Sequence, residues 1–295
     1  MHRRKTDVKY LILGVNGMAG HMVAQYLLEQ KHDVTGFAKK ESAICKTIIG
    51  DACRKDELLD AITADDFDVV VNCIGVLNTA VDKKLSDGIY LNSVFPHFLA
   101  EKLENTKSKL IHISTDCVFE GTKGKYTEED LPDATSYYGR SKALGEVCDN
   151  RNLTIRTSIV GPELKENGIG LFHWFMLQRN SVSGYKNVIW SGVTTLQLAK
   201  AIEADGKKNQ KGLYHLVNNE EISKYALLGL FNQYCREKKI EIKENCSIVN
   251  NKSLVNTQDE IFEVPSYEKM VEAMAEWFPP EATDNRLLLA SPIFQ

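Results

Sequence analysis

A tyrosine and a lysine stand four residues apart in Tyr138-Gly139-Arg140-Ser141-Lys142, at the start of a helical pattern. That spacing sets both side chains on one helical face. A phenol with its reference pKa of about 10 is a poor acid or base at neutral pH. An adjacent ammonium favours the phenolate and lowers that value, which brings proton transfer within range. Upstream, Ser114-Thr115-Asp116 closes a strand-like run, and strand ends are where open α/β sheets place ligands. A hydroxyl there can hydrogen-bond a substrate carbonyl beside the tyrosine. Y-x-x-x-K recurs by chance in many chains, so Thr115, Tyr138 and Lys142 become a candidate catalytic set only through what precedes them.

What precedes them is Gly14-x-x-Gly17-x-x-Gly20, directly after a strand-like run and at the opening of a helix. The first glycine permits a tight turn, the second lets the backbone approach a pyrophosphate, and the third allows close helix–strand packing. The helix N-terminus then offers free N–H groups to the phosphates. Plain turns also use glycine, but this placement predicts a dinucleotide site. An NAD site would carry an acid about 20 residues further on, to hold the ribose 2′-hydroxyl. Here the second strand ends Gly36-Phe37-Ala38-Lys39-Lys40, with no acid before Glu41. Lys39 and Lys40 suit a 2′-phosphate, which favours NADPH with NADH as the alternative; as solvated charges they would need no partner. Asp51, after Ile48-Ile49-Gly50, can accept a hydrogen bond from an adenine amino group.

These residues need a scaffold that gathers them. Short apolar runs alternate with amphipathic stretches in the first half, which predicts β-α-β units and a parallel sheet. The runs are Lys9–Leu13, Asp33–Phe37, Asp68–Asn72, Lys109–Ser114 and Leu153–Ser158. The helical stretches are Met18–Glu29, Arg54–Ala64, Tyr90–Glu104 and Tyr138–Cys148. After Gly161 the pattern loosens. Helices are expected at Gly168–Gln178, Thr194–Ala204, Lys224–Arg236 and Tyr267–Trp277, with a strand at Leu213–Val217. Residues 237–264 carry no firm pattern. The expected class is α/β: a doubly wound parallel sheet from residues 1–160 and about 188–220, with a smaller C-terminal α/β substrate lobe from about 161–187 and 221–280. Residues 281–295 form a tail in which Arg286–Ala290 could make one helical turn.

The 295 residues suffice for one large core or two modest ones, and 43% hydrophobic with 26% charged residues is a globular composition. A net charge of −4 offers no broad cationic surface, which argues against a nucleic-acid partner. No run of about 18 apolar residues exists, so no membrane span is expected. The basic leader Met1–Asp7 lacks the apolar stretch and cleavage site of a signal peptide. The seven cysteines (45, 53, 73, 117, 148, 235 and 246) include no C-x-x-C pair. They fit reduced thiols in a cytoplasmic protein rather than a disulfide framework or a metal site.

In this order and spacing the motifs resemble the extended short-chain dehydrogenase/reductase family, and within it the dTDP-4-dehydrorhamnose reductase-like sugar-nucleotide reductases. The resemblance rests on Gly14–Gly20, Asn72-Cys73-Ile74-Gly75, Leu91-Asn92-Ser93 and His112–Gly121. It continues through Tyr126, Glu128, Asp133-Ala134, Tyr138–Glu146 and Arg156–Gly161, and thins out towards Trp277. It implies a Rossmann sheet with cofactor contacts from Gly14, Asn16, Gly17, Met18, Ala19, Ala52, Cys73, Ile74, Gly75, Asn92 and Ser114, besides Tyr138 and Lys142. It makes Thr115 the hydroxyl partner, Tyr138 the acid and Lys142 its supporting cation. Val76, Asp116, Cys117, Val118 and Tyr185 are the candidate substrate contacts. The implied reaction is NADPH-dependent reduction of the 4-keto group of a nucleotide-linked 6-deoxyhexose, of the dTDP-4-dehydrorhamnose or UDP-2-acetamido-4-keto type, for cell-surface glycans. A nucleotide sugar is thus the expected partner, and a homodimer is compatible.

Two departures bear on the pocket. The family often carries an aromatic where Cys117 stands, and its C-terminal R-P-x-n-S-x-L segment is only faintly echoed by Asn251-Lys252-Ser253-Leu254. The dehydratases of the family use Thr-Asp-Glu, and Cys117 cannot replace that carboxylate. Its epimerases hold NAD and usually carry an acid at the end of the second strand, which is missing here. The regulatory β subunit of methionine adenosyltransferase resembles the same family and binds NADP; the intact Thr115–Tyr138–Lys142 set argues against a purely regulatory role. Other residues take blander readings. Cys117 suits a small apolar filler, Arg156 a structural hydrogen-bonder and His112 a satisfied core residue. Trp174 and Phe175 suit the core face of a helix. Tyr185, Lys186 and Lys252 fit either diphosphate or sugar contacts or solvated surface.

Overall fold

The structure, a computed structural model, describes residues 8–165, 168–259 and 261–278; the leader Met1–Asp7 and the tail with Arg286–Ala290 lie outside the described residues. Seven strands make one sheet: β1 (Lys9–Leu13), β2 (Asp33–Ala38), β3 (Lys46–Ile49), β4 (Val69–Asn72), β5 (Lys109–Ile113), β6 (Leu153–Arg156) and β7 (Gly212–His215). Their order is β3-β2-β1-β4-β5-β6-β7, and every pairing is parallel. The chain winds outward from β1 to β3 and, on the other side, from β4 to β7. The crevice beyond the C-terminal ends of β1 and β4 is therefore the switch point where such sheets bind ligands.

The main helices are α1 (Met18–Glu29), α2 (Lys55–Thr63), α3 (Phe95–Leu103), α4 (Tyr137–Leu144), α5 (Leu171–Leu177), α6 (Thr195–Lys208), α7 (Lys224–Tyr234) and α8 (Tyr267–Trp277). Alternation along the strands sends successive side chains to opposite faces. Tyr10 and Ile12 of β1 join Val23 and Leu27 of α1 and Leu198 and Ile202 of α6 in one core. Leu11 and Leu13 join Leu58 and Ile62 of α2 and Phe95 and Leu99 of α3 in the other. A parallel sheet so covered must be apolar on both sides, which is why its strands read as continuous hydrophobic runs.

Three local features differ from the sequence expectation. The edge strand β3 is short, begins Lys46-Thr47 and is only half buried, so it carries no hydrophobic run. Tyr90–Glu104 is not one helix. Short helices Asn78–Lys83 and Leu85–Ile89 lead into a π-helical turn, Tyr90–Val94, and then into α3 with Pro96 in its first turn. Proline has no N–H to return to the carbonyl four residues back, and the turn widens there. Finally, α4 stops at Leu144. A Cβ at Gly145 would lie 1.9 Å from the Asn92 carbonyl oxygen, so only glycine lets this backbone approach.

After β6 the chain builds short strand pairs beside the sheet. Val182–Tyr185 pairs with Ile242–Asn245, and Val188–Trp190 lies between Ile222–Ser223 and Asn250–Asn251. Residues 237–264 thus hold strands although their sequence shows no firm pattern. Gly121 and Gly124 have φ of 91° and 71°, and a Cβ at either would lie about 2.5 Å from the side chain of Asn250 or Asn251. That close fit holds the 250–254 segment against the loop after β5, with a bridge from Tyr126 to Leu254. On α5, Phe175 is buried as expected, but Trp174 is 40% exposed and does not face the core.

One buried ion pair ties the end of α4 to β6. Arg156 donates Nε to Glu146 Oε1 at 2.8 Å and Nη2 to Oε2 at 2.6 Å, and Ser114 Oγ donates to the same Oε1 at 2.6 Å. The Arg156 guanidinium also lies over the Phe119 ring and 2.9 Å from His215 Nε2. Removing one partner of such a pair strands the other charge in the core. Arg156→Ala should therefore cost about 3–5 kcal/mol of stability, read as a lower urea midpoint. A midpoint equal to the parent's would show that the pair contributes nothing net.

Candidate active site

The cleft at the switch point has a volume of about 380 Å³. Its floor begins at the turn after β1. Gly14 has φ of 81°, and a Cβ there would press to 2.9 Å from Ile74 Cγ1. A Cβ at Gly20 would lie 2.2 Å from the Gly14 carbonyl oxygen, so α1 packs onto the turn only with glycine there. Gly17 caps α1 without a side-chain acceptor, and the first turn of α1 carries no acid. Its N–H groups and partial positive charge are thus left to an anion, and Met18 and Ala19 line the cleft at that point. This cradle, which a Cβ would fill, fits a dinucleotide pyrophosphate.

The opposite wall comes from the ends of β4 and β5 and from α4. Thr115 is the N-cap of a short 3-10 turn, Asp116–Val118: its Oγ1 accepts from Cys117 N at 3.1 Å and donates to Asp116 Oδ1 at 3.1 Å. Ser136 caps α4 by accepting from Gly139 N at 3.1 Å. That start places Tyr138 and Lys142 on the face towards Thr115, and all three line the cleft. Lys142 Nζ donates to the Ile113 carbonyl at 2.8 Å and lies 3.3 Å from His112 Nε2.

The proton affinities differ from the sequence expectation. Burial pushes the Tyr138 phenol well above its usual value, the thiol of Cys117 adds to this, and a hydrogen bond with Thr115 opposes it. Lys142 does not pull the phenol down, because its ammonium is turned towards the sheet. Burial lowers Lys142 itself to about 8, against the pull of Glu146 and Cys73. Burial raises the Asp116 carboxyl, opposed by Lys252 and by its hydrogen bond from Thr115. It also raises the Cys117 thiol to about 12, so this sulfur is not activated.

The cleft brings together Asn16, Gly17, Met18, Ala19, Cys73, Ile74, Gly75, Ser114, Thr115, Asp116, Cys117, Tyr138 and Lys142. Gly14 shapes it from beneath. Asn16 also donates to the Lys40 carbonyl at 3.0 Å, joining the cleft to the loop after β2. Beyond that loop, Lys39 pairs with Asp51 at 2.9 Å, Lys40 is exposed, and Ala52 is buried in the core beside Phe37. Asn92 is fully buried: its amide bridges the Val76 backbone and Ser141 Oγ, so it braces the wall rather than facing the cleft. The Ser114 hydroxyl is committed to Glu146.

Three candidate substrate residues line neither described cleft, and the first is Val76, whose backbone N–H and carbonyl are both bonded to the buried Asn92 amide. Val118 is buried in a separate cluster with Phe119, Tyr126, Val217 and Leu254. Tyr185 sits in the Val182–Tyr185 strand pair and lines neither described cleft, while Lys186 is paired with Glu244 at 3.0 Å. A second cleft of about 220 Å³ adjoins the first and shares Asp116, Cys117, Ser158 and Ile159 with it. Its further lining includes Trp190, Lys224, Asn250 and Lys252. Of these, the sequence singled out only Lys252. Lys224 and Asn250 come from distant segments and belong to no local motif, so tertiary pairing alone reveals them.

Residues 8–251 match the family model described as the RmlD substrate binding domain. The dTDP-4-dehydrorhamnose reductase of Aggregatibacter actinomycetemcomitans is 26% identical over 259 residues, covering 82% of this chain and 83% of that protein. A probable low-salt glycan biosynthesis reductase of Haloferax volcanii, Agl14, is 37% identical over 144 residues, and the match spans about half of each chain (46%). Among solved structures, dTDP-4-dehydrorhamnose reductase from Bacillus anthracis in complex with NADP is similar in fold, with a TM-score of 0.77 at 21% identity. That likeness covers 92% of this chain and 99% of the other.

Because the Cys117 thiol is held protonated, it should resist alkylation. At about pH 8, iodoacetamide should modify it at least about ten-fold more slowly than the exposed Cys246, as mapped by peptide mass spectrometry. Equal rates at the two positions would mean that the pocket activates Cys117.

Proposed function

The chain belongs to the RmlD substrate binding domain family, and we propose that it is an NADPH-dependent reductase of the 4-keto group of a nucleotide-diphospho-6-deoxyhexose, serving the synthesis of glycan sugars. The observation that carries this reading is the convergence of Thr115, Tyr138 and Lys142 on the same cleft as the uncapped N-terminus of α1. One end of the cleft suits a pyrophosphate; the other holds a proton donor and a hydroxyl.

NADPH, when bound, supplies the hydride. The protein's part is to orient the carbonyl and to handle the proton. The Thr115 hydroxyl, turning its one proton from Asp116 Oδ1 to the substrate, donates to the carbonyl oxygen and holds it against Tyr138. Tyr138, kept as the neutral phenol by burial, donates its proton to the developing alkoxide. Two hydroxyl donors turned to that oxygen stabilise the charge as it develops. In the adjoining cleft Lys224 and Lys252 offer cations to a sugar-linked diphosphate, and Trp190 offers a flat apolar wall. Residues 161–187 and 221–280 form the substrate lobe in this reading. Among the described residues no helix is long and apolar enough to cross a membrane.

The direct test is loss of NADPH absorbance with a panel of dTDP- and UDP-linked 4-keto sugars. Turnover with at least one member is expected. An enzyme that binds NADPH tightly yet reduces none of them would favour a regulatory, cofactor-binding role instead. One variant sharpens the assignment. Tyr138→Phe removes one hydroxyl and little packing, so kcat should fall about 10²–10⁴-fold with NADPH binding nearly intact. Retention of more than about a tenth of kcat would take Tyr138 out of the mechanism.

Cofactor choice rests on Lys39 and Lys40. In the structure Lys39 neutralises Asp51, so removing it both deletes a cation and bares a carboxylate beside the expected 2′-phosphate. Lys39→Ala should weaken NADPH binding about ten-fold or more and leave NADH binding much less changed. Equal loss for both cofactors would argue that Lys39 does not meet the 2′-phosphate.

A further inference from the structure

Behind Lys142 lies a chain of fully buried polar groups that the reduction itself does not use. Asn72, at the end of β4, accepts from Ile74 N at 3.1 Å through Oδ1. Its Nδ2 therefore faces His112 Nδ1, at 3.1 Å. On the far side of the ring, His112 Nε2 lies 3.3 Å from Lys142 Nζ, which donates to the Ile113 carbonyl. Asn72 and His112 are fully buried and Lys142 nearly so, which makes any mismatched polar contact costly.

Donor counting fixes the proton. Burial holds the His112 imidazole neutral, so it carries one N–H. The Asn72 amide nitrogen bears only hydrogens, so Nδ1 must be the bare acceptor. The ring proton then sits on Nε2 and points at Lys142. A neutral amine accepts that N–H with its lone pair, and the chain Asn72–His112–Lys142–Ile113 is complete. An ammonium has no lone pair and meets the Nε2 proton head-on. Turning the amide over does not help, because it would set the Asn72 hydrogens against the Ile74 N–H.

We propose that Asn72 and His112 are positioning residues that set the protonation threshold of Lys142, by pinning the imidazole proton towards its nitrogen and so favouring the amine over the ammonium. The kinetic consequence rests on the proposed reduction. After Tyr138 gives up its proton, the tyrosinate must be reloaded. The Nζ–H bond of Lys142 breaks, water in the cleft that both side chains line passes the proton on as the O–H bond of Tyr138 forms, and the neutral amine left behind is held by the waiting Nε2–H. Water then returns a proton to Lys142. Transfer in this direction is downhill, since buried Tyr138 binds its proton more tightly than Lys142 does. The other ionisable groups facing this chain are Glu146 beyond α4, Cys73 after β4 and, acting on His112, His97 of α3.

The test is nuclear magnetic resonance on the full chain with ¹⁵N-histidine and ¹³Cε-lysine, with Asn72→Asp and His112→Gln as variants. Asn72→Asp keeps an acceptor for Ile74 N–H but faces Nδ1 with an oxygen, so the ring proton should move to Nδ1. His112→Gln can turn a carbonyl towards the ammonium. The parent should show His112 as the Nε2–H tautomer at pH values above the Lys142 midpoint. In both variants that midpoint should rise by about one pH unit or more, a ten-fold change in proton affinity. The alkaline limb of kcat/KM, where the ammonium donor is lost, should move up with it. An Nδ1–H tautomer in the parent, which needs no variant to observe, would overturn the proposal, as would an unchanged Lys142 midpoint in both variants. If the tautomer and the midpoint shifts appear but no keto sugar is reduced, the proposed reaction fails while the hold on Lys142 stands.

Discussion

The carbonyl oxygen of Gly14 leaves no room for a side chain at Gly20: a Cβ there would come within 2.2 Å of it. That contact presses the N-terminus of α1 onto the turn after β1, at the point where the sheet order reverses. Because α1 starts there without a side-chain cap, its unpaired N–H groups open into the crevice rather than folding back on the chain. The parallel order of the sheet then decides what stands opposite. β4 and β5 end on the same edge as β1, so Cys73-Ile74-Gly75 and Ser114-Thr115 reach the crevice from adjacent strands. A chemically specific site thus follows from a steric demand at one glycine and from the direction of seven strands.

The wall that carries Tyr138 and Lys142 depends on a second close approach. Gly145 lets the end of α4 touch the Asn92 carbonyl, and the Asn92 amide reaches back to Val76 and Ser141. Those contacts, with the Glu146–Arg156 pair, hold α4 against the end of β5. The result is an ordering of proton affinities. Tyr138 holds its proton tightly, and Lys142 gives its own up more readily. Burial, not mutual attraction between the two, sets that order.

The glycine triplet and the Tyr138–Lys142 spacing are legible because both are local: each depends on one turn or one helical face. The doubly wound sheet is legible too, since two covered faces demand apolar strands such as Val69–Asn72. What the sequence hides depends on distant partners. β3 has no hydrophobic run because it is a half-exposed edge. The π turn before α3 follows from Pro96, whose effect on the preceding carbonyl is readable only once a helix is known to run through it. Tyr185 misled because its strand pairs with Ile242–Asn245, away from the cleft. Lys224 and Asn250 were missed because they meet Asp116 and Cys117 only through tertiary packing. The direction in which Lys142 points is set by Ile113 and His112 on another element, which a four-residue spacing cannot encode.

The central claim is that one cleft carries out hydride transfer to a keto sugar. It is tested most directly by supplying NADPH deuterated at the transferable position of the nicotinamide and locating the label in the product by mass spectrometry and NMR. The account predicts one deuterium at C4 of the reduced 6-deoxyhexose for each NADP formed. Oxidation of the cofactor with no deuterium in the sugar, or deuterium at any other carbon, would contradict it.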